Sequence, residues 1–99
     1  MDIQDLAPGI MLEDNTRFWL MEQIRRALKK FRSDLNMTQA DVAEKLGKDQ
    51  VFFSNCESGR RKIDPVELLG FLNAYDVSIA ELLSILDPQE AQERKYGPL

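Results

Sequence analysis

Gln50, Val51, Ser54, Asn55 and Ser58 carry carboxamide, methyl and hydroxyl groups at spacings that bring them side by side if the segment is helical. With Gln50 at the origin of a helical wheel, Ser54 falls near about 40°, Ser58 near 80°, Val51 near 100° and Asn55 near 140°. Groups of this kind break no bonds. They exchange hydrogen bonds with planar partners, bidentate amides suiting adenine and a methyl surface suiting thymine. The plain alternative is a strip that merely faces solvent, but such faces usually carry Glu/Lys pairs, which are missing here. The cluster Arg60-Arg61-Lys62 follows at once and offers charge for a phosphate backbone. Bond-making chemistry has little to work with. The chain has no histidine and one cysteine, Cys56, which excludes a Cys/His zinc site, a Ser/His/Asp triad and an intrachain disulfide. We therefore expect no enzyme, no metal and no cofactor, and Cys56 reads as a small core residue rather than a redox sensor.

These residues need elements to hold them, and the same stretch supplies two short helices joined at Gly47. Thr38 suits an N-cap with Asp41 at N3, after which Ala40, Val42, Ala43 and Leu46 occupy one helical side. Gly47 offers the positive φ of a tight turn, Asp49 can cap the next helix, and Phe52, Phe53 and Cys56 form an inward wedge opposite the polar strip. Two helices so joined have the layout of a helix-turn-helix, whose second helix enters a major groove.

The flanking sequence completes an all-α expectation of five helices and no strand. A first helix capped by Asn15 or Thr16 runs to about Leu35, with Leu20, Ile24, Ala27, Leu28, Phe31 and Leu35 on one stripe. Arg25, Arg26, Lys29 and Lys30 lie outside it, as a solvated face or a secondary phosphate contact. Phe18 and Trp19 also lie outside, and are expected to pack on an N-terminal arm or a second subunit. Asn36 suits a left-handed helix end, and Met37 returns to the core. After an inward Ile63, Asp64 caps a fourth helix with Pro65 at its first position; Val66, Leu68, Leu69, Leu72 and Tyr75 give it apolar sides, and Gly70 marks a close approach. Ser78 and Glu81 have capping-box spacing for a fifth helix carrying Ile79, Leu82, Leu83 and Leu86, which ends before Pro88. Its apolar excess is either the closing wall of the core or partly a dimer seam.

Ninety-nine residues with 43% apolar content fit one domain and one modest core. We expect an N-terminal arm over residues 1–16, mobile or docked on a partner, a helical domain over 17–86 and a polar tail over 87–99. No apolar run approaches the roughly 18 residues of a membrane span, and the start lacks signal-peptide features, so a cytoplasmic protein without a membrane partner is expected. The formal net charge of -4 conceals a polarity. Residues 17–62 hold eleven Lys/Arg against six Asp/Glu, while both flanks are acidic, which leaves a basic middle able to meet phosphates.

Phe31-Arg32, the TQADVAEKLG run from Thr38, NCESG at Asn55 to Gly59 and DVSIAELL from Asp76 together resemble the Cro/C1-type (XRE-like) helix-turn-helix regulators, across about Leu28 to Leu83. The resemblance implies a phage-repressor-like five-helix bundle that binds double-stranded DNA as a homodimeric transcriptional regulator. It places base contacts on Gln50, Val51, Ser54 and Asn55, and phosphate contacts on Thr38, Gln39, Ser58, Arg60, Arg61 and Lys62, with Lys48 added beside the third helix. It also implies a structural ion pair between Arg32 and Glu57. Two departures stand out: Asp49 puts a carboxylate at the DNA-proximal end of the reading helix, and Asp76 stands where glycine is common. A rival reading is a protein-interaction module, antitoxin-like or anti-activator, in which residues 1–19 capture a partner.

Overall fold

Four helix starts have a side-chain oxygen waiting for an orphan backbone N–H, and these caps divide the chain. The computed structural model describes residues 14–87, and within them it contains five helices and no strand: α1 (Asp14–Asp34), α2 (Gln39–Leu46), α3 (Gln50–Ser58), α4 (Pro65–Ala74) and α5 (Ile79–Ile85). Thr38 Oγ1 accepts from the Asp41 N–H at 3.0 Å and the Thr38 N–H donates back to Asp41 Oδ2 at 2.8 Å. That hydrogen-bonded capping box holds the Asp41 carboxyl below the usual carboxylate range. Asp49 and Ser78 cap α3 and α5, while Asp64 and Glu67 form a second full capping box at α4 behind Pro65. The helix exits use left-handed residues: Asn36 and Asp76 at φ 55, Gly47 at φ 66 and Gly59 at φ 85. Asp76 thus adopts the left-handed conformation that a glycine more commonly supplies.

The core is one cluster drawn from every helix: Ala27 and Leu28, Val42 and Ala43, Phe53 and Cys56, Phe71, Leu72 and Tyr75, and Leu82. Phe53 and Phe71 meet edge-on, centroids 5.6 Å apart, at the centre of the packing between α3 and α4. Burial pushes the Tyr75 hydroxyl and the Cys56 thiol above their ordinary pKa, so both stay neutral. Gly70 brings α4 against α2: a Cβ there would sit 3.4 Å from Leu46 Cδ2. A reciprocal pair, Gln23 Nε2 to the Asp87 carbonyl at 2.9 Å and the Asp87 N–H to Gln23 Oε1 at 2.7 Å, pins the end of α5 to α1.

Several expectations are corrected. α1 starts at Asp14, so Asn15 and Thr16 lie inside it rather than capping it, Thr16 is buried, and the expected arm loses its last three residues to the helix. The rest of that arm and the tail beyond Asp87 fall outside the described residues. Leu35 is 49% exposed because the helix ends one residue earlier and Asn36 turns the chain away. Ala40 is exposed, since α2 turns Val42 and Ala43 inward and Ala40 falls on the flank, about 110° round the helix from the middle of that face. Phe52 is only half-buried and lies at the edge of the core. Leu82 is buried, but Ile79 and Leu83 are exposed on α5, as are Val66 and Leu69 on α4.

No single helix among the described residues is long and apolar enough to cross a membrane. α4 and α5 reach that composition only as a pair bent by 100°, and their most apolar residues include the buried Phe71, Leu72 and Leu82.

Candidate nucleic-acid interface

The outer face of α3 is presented by packing on its other side. Phe53 and Cys56 are buried, which leaves Gln50 and Val51 exposed and Ser54 and Asn55 half-buried along one flank. Val51 is 69% exposed, an apolar side chain standing in solvent at the start of a helix whose core positions are already filled. Asn55 also serves the fold, because its carbonyl accepts from the Arg61 N–H at 3.1 Å and from Ser58 Oγ at 3.3 Å.

The acidic residue before α3, Asp49, is explained by local geometry. Its Oδ1 accepts from the Phe52 N–H at 2.7 Å with the backbone extended, so the carboxylate faces the positive end of the α3 dipole.

Two ion pairs brace the last turn of α3 and the segment that follows it. Arg32 Nε and Nη2 donate to Glu57 Oε2 and Oε1, both at 2.8 Å, and Arg32 Nη1 donates to the Met37 carbonyl at 2.9 Å. The side chains of Arg32 and Glu57 are 14% and 7% exposed, so the fork is largely out of water and its hydrogen bonds hold the guanidinium above its already high pKa. Gln39 Nε2 joins it, donating to Glu57 Oε1 at 3.1 Å. A residue expected on a phosphate is therefore committed to linking α2 with α3.

Arg61 behaves in the same way. Its Nη1 donates to Glu67 Oε1 at 2.8 Å and to the Lys62 carbonyl at 2.9 Å, and its guanidinium lies 4.5 Å from the Phe52 ring centroid. Lys48 Nζ approaches the same ring at 5.2 Å. Phe52 is thus held by two cations, which accounts for an aromatic ring left half-exposed. The Arg61 bond also pulls the Glu67 carboxyl below the usual carboxylate range. Arg60 and Lys62 are exposed, and neither side chain makes an ion pair among the described residues.

The structure therefore gathers Gln50, Val51, Ser54, Asn55, Ser58, Arg60 and Lys62 around α3 and its exit turn, with Thr38 and Gln39 at the start of α2. Glu67 was not singled out from the sequence, although Asp64-Pro65-Val66-Glu67 has capping-box spacing, and Arg25, expected on a solvated face or a phosphate, instead packs on Gly59 and pairs with Glu22. Among the described residues no group of three His, Cys, Asp or Glu side chains converges as a metal-holding cluster.

Two capped helices joined by a left-handed glycine, the second presenting a polar flank, define a helix-turn-helix unit, the class of module that docks on DNA. The chain belongs to the helix-turn-helix domain family, whose model matches residues 23–84, more than half its length, in agreement with an XRE-like character. No curated protein and no solved structure matches the chain.

Proposed function

We propose that this protein is a sequence-specific transcriptional regulator of the Cro/C1 type that binds double-stranded DNA as a homodimer, with α3 in the major groove. The observation that carries this reading is the outward flank of α3, where Val51 stands exposed beside Gln50 on a helix whose last turn and exit are braced by ion pairs. Gln50, Val51, Ser54 and Asn55 face the base edges. Thr38, Lys48, Ser58, Arg60 and Lys62 meet phosphates, while Gln39 and Arg61 contribute to phosphate contact mainly by holding the surface in shape. One domain offers three or four reading side chains, so useful discrimination requires two copies on half-sites about one helical turn, roughly 10 base pairs, apart. The exposed apolar residues of α4 and α5, Leu69, Ile79 and Leu83 among them, supply a surface for pairing.

Binding measured against salt tests the reading. Arg60→Ala or Lys62→Ala weakens binding to all sequences and reduces the salt slope by about one, whereas Gln50→Ala costs about 1–3 kcal/mol at one base position and leaves the slope unchanged. A binding curve insensitive to salt would overturn the phosphate contacts. The protein-interaction reading has one observation in its favour, the 52% exposure of Phe18 beside Trp19. It predicts a chain that shows no preference among DNA sequences.

A further inference from the structure

Of the three consecutive cations after α3, the middle one is held back. The Arg60 and Lys62 side chains make no ion pair among the described residues, whereas Arg61 Nη1 donates both to Glu67 Oε1 at 2.8 Å and to the Lys62 carbonyl at 2.9 Å. The same guanidinium lies 4.5 Å from the Phe52 ring centroid.

Glu67 is placed without help from Arg61. Its Oε1 accepts from the Asp64 N–H at 3.0 Å and its own N–H donates to Asp64 Oδ1 at 2.7 Å, the capping box that starts α4. The Glu67 side chain is 17% exposed and that of Arg61 43%, so the carboxylate is the anchored member of the pair and the guanidinium the accessible one. A carboxylate and a DNA phosphate offer the same thing, anionic oxygens for one fork of N–H donors, and so compete for Arg61. An exposed ion pair alone would be a weak competitor. Here the pose that satisfies Glu67 also satisfies the Lys62 carbonyl and the Phe52 ring, and a phosphate would have to replace all three contacts.

We propose that Glu67 is a positioning residue that withholds Arg61 from the DNA backbone, and thereby limits how tightly the protein grips duplex of any sequence. This role rests on the DNA-binding reading and adds to it an acid on α4, outside the helix-turn-helix pair, that sets the sequence-independent part of the affinity. Phosphate contacts carry no base information, so releasing Arg61 strengthens binding to every duplex alike.

The test is a mutant cycle read as salt dependence, with the full chain titrated against a random-sequence duplex of about 20 base pairs between about 50 and 200 mM salt. Wild type, Arg61→Ala, Glu67→Gln and the double variant are compared, each after circular dichroism confirms the helical fold. Glu67→Gln keeps an oxygen for the Asp64 N–H, so the α4 cap survives while the charge that holds Arg61 is removed. Glu67→Gln steepens the slope by about 0.9, one phosphate contact, and its advantage over the wild type shrinks about threefold across that range. Arg61→Ala leaves the wild-type slope unchanged, and the double variant returns to it. An unchanged slope in Glu67→Gln overturns the proposal. So does a gain that persists in the double variant, which would come from the lost negative charge alone, and so does a wild-type slope that Arg61→Ala lowers by about one, which would put the cation on the backbone despite Glu67. Salt-dependent binding that Arg60→Ala weakens keeps the DNA-binding reading even where the cycle fails; a wild-type chain that binds no duplex removes both.

Discussion

The brace between Arg32 and Glu57 gives the sharpest energetic prediction. Glu57→Ala removes two charge-assisted hydrogen bonds of 2.8 Å and leaves a guanidinium with 14% side-chain exposure facing a gap, its remaining bond being to the Met37 carbonyl. Breaking a buried pair from one side typically costs about 3–5 kcal/mol. The residual exposure of Arg32 and its retained bond put the expected cost near the lower end, about 3 kcal/mol, a fall in Tm of roughly 10–20 °C for a domain this small. Glu57→Gln keeps one acceptor and costs about half as much. The double variant Arg32→Ala/Glu57→Ala costs less than the two single changes combined, with a coupling of about 2 kcal/mol, because the second removal takes away an already stranded charge. Urea denaturation followed by circular dichroism measures all four proteins. A Glu57→Ala cost below about 0.5 kcal/mol, or strict additivity, would refute the brace.

Arg61→Ala lowers the melting temperature, through loss of the Glu67 bond and of the cation over Phe52, whereas Arg60→Ala leaves the melting curve in place. Gly59→Ala is the worse of the two glycine changes. Its positive φ costs about 1–2 kcal/mol and the new Cβ must also displace Arg25, while Gly47→Ala meets open space and carries the backbone strain alone, a difference that thermal denaturation reads directly. The depressed carboxyls of Asp41 and Glu67 stabilise the fold fully above their unfolded pKa, and this contribution is lost as pH falls through their lower folded values. Tm therefore drops below the ordinary carboxylate range, and it drops less steeply in Glu67→Gln; an equal slope in both proteins would contradict the Arg61–Glu67 link.

Local chemistry made most of the frame legible. Thr38, Asp49, Asp64 and Ser78 each cap the helix that follows, because capping needs only a short acceptor at a fixed offset. The inward turn of Phe53 and Cys56 was readable from the 3.6-residue period for the same reason. What was not readable depends on neighbours remote in sequence. The Arg60-Arg61-Lys62 run looks like three equivalent cations, yet Arg61 folds back because Glu67 and Phe52 happen to meet there. Gln39 likewise belongs to the Glu57 brace, a bond spanning eighteen positions. Leu35 was placed on the apolar stripe by its spacing, but α1 ends one residue before it, and Ala40 was placed on the apolar side of α2, whose core face falls on Val42 and Ala43.

The central claim, that the flank of α3 reads base edges, is met most directly by selecting duplexes from a random pool with the purified full chain beside Gln50→Ala. The wild-type chain should enrich a palindrome whose half-sites lie about one helical turn apart, and the variant should lose preference at one position in each half. Failure to enrich any sequence, or an identical enriched sequence from the variant, would contradict it.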